Sequence, residues 1–187
     1  NDKLILDGIV ENAVYRNDGT AFLDLVTRKI VDGTVQETRR QAWVDLDRLV
    51  VINEIPSGWT RAAGNANYAY QTRVTGYPRP GRPNYGLFLK NLVTGDEVFL
   101  DSYGEFTGIG SVSGVSVSPD GYVLYGRDNY RTGNWEVVIQ KPGDPSYGMK
   151  IPLYGSLKSV QFLANQQADV TVAQSGGNKT YKLDLTI

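Results

Sequence analysis

Short runs of alternating apolar and polar residues, each closed by a turn-forming group, recur along the chain. The pattern is clearest between residues 111 and 155. Val115-Ser116-Val117-Ser118 alternates with the period of two expected of a strand with one covered face, Pro119-Asp120-Gly121 turns, and residues 122–125 are apolar. Residues 128–134 read as a polar loop, residues 135–139 return to strand character, and residues 150–154 add a fourth short strand. The next unit repeats the order with strands at 156–162, 170–173 and 181–185, broken at Asn165-Gln166-Gln167 and at Gly176-Gly177-Asn178.

That last unit lacks a fourth strand. Residues 3–7, Lys-Leu-Ile-Leu-Asp, match the closing strands at 97–101 and 150–154, so an N-terminal strand is expected to complete it by pairing with residues 181–185. An earlier unit has strands at 58–63, 68–74, 85–89 and 97–100, with turns at Asn65-Ala66-Asn67 and Thr94-Gly95-Asp96. The first has a turn at Asn17-Asp18-Gly19 and strands at 21–26, 41–46 and 49–52, with Asp32-Gly33 between the first two of these. Four units result: 8–53, 57–102, 106–155, and 156–187 with 1–7. A period of roughly 40–50 residues is the mark of a propeller-type array.

Ser116-Val117-Ser118-Pro119-Asp120-Gly121 followed by Val123-Leu124-Tyr125, and Leu87-Phe88-Leu89 before Thr94-Gly95, resemble the repeats of TolB-type β-propellers. The resemblance spans most of the chain in strand order and turn position, while the full phrase stands only in the third unit. It implies four antiparallel four-stranded blades in an all-β fold, with neighbouring blades covering each other's faces and the N-terminal strand closing the last blade. A β-sandwich of the same strand order, or part of a larger propeller, are the alternative architectures.

Composition agrees with strands. The chain has 187 residues with 41% hydrophobic and 21% charged, enough apolar matter for one folded domain. Against 21 Gly and 12 Tyr there is one Met, and no long amphipathic helical pattern is found. Nineteen basic and 20 acidic side chains are mixed along the sequence for a net charge of −1, so nucleic acid and anionic membrane surfaces are disfavoured as partners. No apolar run approaches the roughly 18–20 residues of a spanning helix, so no membrane insertion is expected. No signal peptide is visible at Asn1, and the absence of an initial Met implies a removed leader or a segment of a longer polypeptide. The lack of cysteine points to an exported setting: periplasm, cell surface or virion.

Absent residues limit the chemistry. With no His and no Cys there is no Ser-His-Asp triad, no cysteine nucleophile and no imidazole or thiolate zinc site. No phosphate loop, dinucleotide fingerprint or EF-hand is present, and no cofactor is implied. Paired carboxylates remain: Asp45 with Asp47, then Asp96, Glu97 and Asp101, and Glu105 after a Tyr-Gly step. Turn and edge positions account for these better than catalysis does, and Asp18-Gly19, Asp32-Gly33 and Asp120-Gly121 read as hairpin turns rather than metal sites. Trp43 and Trp135 fall in strand-like runs and read as core, whereas Trp59, after Pro56-Ser57-Gly58, reads as more exposed.

Two connections stand out. Residues 76–86 carry three prolines, Arg79 and Arg82, with Tyr77 and Tyr85 at the flanks, in what reads as a loop longer than a hairpin needs. Residues 127–135 include Tyr130 and Arg131. In the unit alignment both are the connection between second and third strands, so both are expected on one rim. Tyr and Arg combine large contact area with directional hydrogen bonding, which is why they dominate interfaces. The expected function is therefore a non-catalytic binding or scaffold module that presents Tyr77, Arg79, Arg82, Tyr85, Tyr130 and Arg131 to a protein or glycan partner. The alternatives are a carbohydrate-active enzyme or lectin working through carboxylates and aromatics, and a structural subunit of a virion or cell-surface assembly.

Overall fold

A computed structural model describes residues 8–163 and 167–185. Among them every regular element is a strand, and the strands form four consecutive antiparallel meanders. The first sheet is β1 (Ile9–Tyr15), β2 (Thr20–Val31), β3 (Thr34–Asp45) and β4 (Val50–Ile55). The second is β5 (Thr60–Arg61), β6 (Tyr68–Arg79), β7 (Arg82–Asn91) and β8 (Glu97–Tyr103). The third is β9 (Ile109–Val117), β10 (Val123–Asn129), β11 (Asn134–Lys141) and β12 (Asp144–Leu153). The fourth is β13 (Ser156–Phe162), β14 (Gln167–Gln174) and β15 (Gly177–Asp184). The all-β class and the four expected meanders are thus present, each in sequence order. The strand expected at residues 3–7 lies outside the described residues.

The chain forms two compact units, Asn1–Thr60 with Leu92–Thr94, and Arg61–Asn91 with Gly95–Ile187. In the first, Ala21, Leu23 and Leu25 of β2 meet Ala42 and Val44 of β3 in a small core, the period-two face the sequence predicts. Both strands run on past this core to the Asp32-Gly33 turn, whose residues sit at φ 52° and 75° as a type I′ hairpin requires. Arg28 and Arg39 each pair with both Glu11 and Glu37 on this exposed extension. Its sequence carries no apolar alternation, Ile30, Val31 and Val35 being exposed, which is why only residues 21–26 and 41–46 of these two strands read as strand.

The second unit is layered. Val123 and Tyr125 of β10 turn toward Leu87, Leu89 and Leu100 of the second sheet, and Leu124 between them turns toward Leu157, Val160 and Phe162 of the fourth. The third sheet is therefore covered on both faces, and the uninterrupted apolar run at 123–125 follows from that. A buried serine joins the three layers. The Ser116 hydroxyl accepts the Phe162 N–H of β13 at 2.9 Å and donates to the Ala63 carbonyl, just beyond β5, at 3.2 Å. Ala63 in turn makes a parallel bridge to Ser116, donating to the Val115 carbonyl at 3.0 Å and accepting from the Val117 N–H at 2.8 Å.

Candidate functional site

The segment expected as a long loop at 76–86 is instead the end of the β6–β7 ribbon. Pairing continues through Gly76 with Asn84 to Arg79 with Arg82, and only Pro80-Gly81 turns. The prolines are tolerated because Pro78 and Pro83 fall where the register shifts and Pro80 is in the turn, so none has to donate to the ladder. Gly81 supplies the left-handed φ of 72°. Tyr77 is 66% exposed at this end, Arg79 and Arg82 are exposed, and Tyr85 is half-buried, stacked on Tyr103 of β8 with ring centroids 5.1 Å apart.

The second segment is narrower than expected. Arg127 is buried within β10 and Trp135 belongs to β11, leaving Tyr130 to Gly133 as the turn. Asn129 holds that turn: its side chain accepts the Arg131 N–H at 3.0 Å and its carbonyl accepts the Gly133 N–H at 2.9 Å. Tyr130 is 62% exposed.

What brings the two segments together is the β8–β9 connector, Gly104-Glu105-Phe106-Thr107-Gly108, which sequence reasoning did not single out beyond Glu105. On one side Arg79 lies over the Phe106 ring at 5.1 Å, and Arg82 pairs with Glu105 at 3.0 Å. On the other the Tyr130 N–H donates to the Gly108 carbonyl at 2.9 Å, and the Arg131 side chain occupies the space a Cβ at Gly108 would need. The Tyr130 ring does the same over Gly110, at the start of β9. Three glycines in seven residues are the signal that marks this connector in the sequence, because each permits a close approach.

Four of the six sequence-predicted residues, Arg79, Arg82, Tyr130 and Arg131, therefore contact one connector, but the three arginines are not electrostatically equal. Arg82 is neutralised by Glu105, whereas among the described residues no carboxylate pairs with Arg79 or Arg131. The surface thus carries two guanidinium groups without a carboxylate partner among the described residues, and it also exposes Tyr77, Phe106 and Tyr130.

A different arginine lies inside. Arg127, 9% exposed, bridges Asp101 at 2.9 Å and Glu136 at 2.8 Å. Asn129 donates to Glu136 at 2.7 Å, Tyr125 donates to Asp101 at 2.9 Å, and Gln140 donates to the Tyr125 oxygen at 2.7 Å. Burial, and then the Asp101 charge, push the Tyr125 phenol far above its ordinary range. Burial alone would raise Glu136, but hydrogen bonds from Arg127 and Asn129 outweigh it and hold the carboxyl below the ordinary glutamate value. Each member of the cluster is held by another, so the network braces β8, β10 and β11 against one another.

Several of the other carboxylates singled out in the sequence are engaged as well. Asp45 accepts the Asp47 and Arg48 N–H groups at 3.1 and 2.9 Å, and Glu97 pairs with Lys90 and Arg73. Asp18 accepts the Thr20 N–H at 3.1 Å, closing its turn. No group of three or more acidic side chains is gathered to hold a metal ion among the described residues. Comparison with known proteins finds no family whose model matches this chain and no curated protein similar to it.

Proposed function

We propose that the chain is a non-catalytic binding module that docks an anionic segment of a partner protein on the rim formed by the β6–β7 turn, the β8–β9 connector and the β10–β11 turn. The carrying observation is that, among the described residues, Arg79 and Arg131 lack a carboxylate partner on a surface that also exposes the aromatics Tyr77, Phe106 and Tyr130. An uncommitted guanidinium favours a planar carboxylate, which it can bind through two parallel hydrogen bonds. Aromatic neighbours add contact area at low entropic cost and enrich interface hot spots. A protein partner is favoured over a small ligand because Tyr77 and Tyr130 are largely exposed, whereas small molecules take concave sites that bury most of their surface.

The second to fourth sheets are proposed as successive blades of a TolB-type propeller array. Support comes from the shared meander order, the apolar layers between successive sheets, and the joint at Ser116 that links the chain after β5 with β9 and β13.

The test is a display library of acidic peptides selected on the intact chain. Arg79→Ala and Arg131→Ala are each expected to weaken the selected peptides about tenfold, and Arg82→Ala less, with unchanged melting temperature. Affinity should fall as salt rises. Peptides that bind the Arg79→Ala/Arg131→Ala double variant as tightly as the parent would remove the rim from consideration.

A further inference from the structure

A cleft of about 360 Å³ opens in the first compact unit, where the segment after β4 passes β2 and β3. Its volume falls within the roughly 300–1,000 Å³ of small-molecule sites. Trp59, Pro56 and Ile55 supply its apolar part, and Asp24, Gln41 and Ser57 are among its polar lining. Trp59 is held there by a tight turn: its N–H donates to the Pro56 carbonyl at 3.1 Å, with Gly58 at φ 81° in the left-handed position that such a turn requires.

The electrostatics of this cleft are the opposite of the rim's. Asp24 accepts from Gln41 at 2.7 Å and from Asn12 at 3.3 Å. Of the two arginines lining the cleft, Arg39 pairs with Glu11 and Glu37 at 3.0 and 2.9 Å, and Arg40 with Glu54 at 3.6 Å. Both arginines are already paired and the Asp24 carboxylate is held by two side-chain amides, so an anionic ligand would find no spare cation and would lose its hydration uncompensated. A neutral ligand with many hydroxyl groups meets both donors and acceptors at the edge, and a flat indole against which its C–H face can pack. We infer that this cleft is a binding site for a neutral oligosaccharide, separate from the rim and independent of the reading given for it.

The experiment is titration calorimetry of the intact chain with neutral cello-, manno-, xylo- and chito-oligosaccharides, and with oligogalacturonides as acidic counterparts. At least one neutral series is expected to bind, Trp59→Ala to weaken it about tenfold or more, and Trp59→Phe to restore most of the affinity. If Trp59→Ala fails to fold, hydrogen exchange on the parent chain replaces it, with saccharide expected to slow amides at 39–41 and 55–60. Failure of every neutral series to bind, tighter binding of the oligogalacturonides, full affinity in Trp59→Ala, or protection confined to other segments would each overturn the assignment.

Discussion

Replacing Ser116 with alanine removes a single oxygen from the point where three sheets meet. In the native chain that hydroxyl is wholly buried, accepts the Phe162 N–H at 2.9 Å and donates to the Ala63 carbonyl at 3.2 Å. The Ala63 carbonyl keeps the Val117 N–H at 2.8 Å, so it is not stranded by the substitution. The Phe162 N–H loses the hydroxyl that binds it in a region without exposed surface. A buried donor left without a partner costs about 1–3 kcal/mol, and the middle of that range, about 2 kcal/mol, is the expected loss. For a domain of this size 1 kcal/mol moves the melting temperature by roughly 2–4 °C, so Ser116→Ala should melt about 4–8 °C lower. The exposed Ser113 on the same strand is the control, and Ser113→Ala should fall within about 1 °C of the parent. Circular dichroism gives the melting curves. Native-state hydrogen exchange gives the local reading, in which the Phe162 amide should exchange about 30-fold faster, the equivalent of about 2 kcal/mol. Ser116→Ala melting with the control, together with unchanged protection of Phe162, would refute the claim that this hydroxyl ties the layers.

Two further outcomes are expected from the same unit. A Cβ at Gly126 would overlap the Leu157 side chain, so Gly126→Ala should destabilise by about 1–3 kcal/mol in urea unfolding. In the double variant with Leu157→Ala the two losses should sum to more than the measured total, and strict additivity would contradict the contact. The Glu136 carboxyl titrates below its unfolded value, so its ionised form stabilises the fold. That contribution is complete above the unfolded value of about 4.3 and is lost as pH falls through the folded value. Melting temperature should therefore drop more steeply below about pH 4.3 in the parent than in Glu136→Gln, and parallel curves would exclude the linkage.

Much of the fold was legible because turns and alternation agreed locally. Pro119-Asp120-Gly121 reads as a turn, and Gly121 takes φ 84° while its N–H reaches the Ser118 carbonyl at 3.0 Å. Val123-Leu124-Tyr125 reads as an apolar run, and a strand covered on both faces produces one. The ends of the long ribbons were not legible. Residues 28–38 are exposed on both faces, so Ile30, Val31 and Val35 follow no buried stripe, and residues 76–84 carry three prolines that suggest a loop until the register shifts are known. For the candidate surface, residue types in the β6–β7 and β10–β11 connections were enough to name its edges. Its middle, Phe106 between Gly104 and Gly108, belongs to a connector without periodicity and becomes visible only when the hairpins on either side close on it.

The same distinction decides which arginines are available to a partner. Arg79, Arg82, Arg127 and Arg131 look alike in the sequence, each in a polar stretch beside tyrosines or prolines. Arg127 is consumed by Asp101, 26 residues away, and by Glu136 on the neighbouring strand; Arg82 is consumed by Glu105 across the connector. These pairings cannot be read from spacing, because they depend on which strands lie next to which. A net charge of −1 excludes a protein-wide field that would draw in polyanions. It does not exclude a local surplus, since pairing elsewhere engages acidic groups and, among the described residues, leaves Arg79 and Arg131 without a carboxylate partner. Under the proposed function, recognition at this rim would be set by contact rather than by long-range steering, and its specificity would depend on how closely a partner's carboxylates match the separation of those two guanidinium groups.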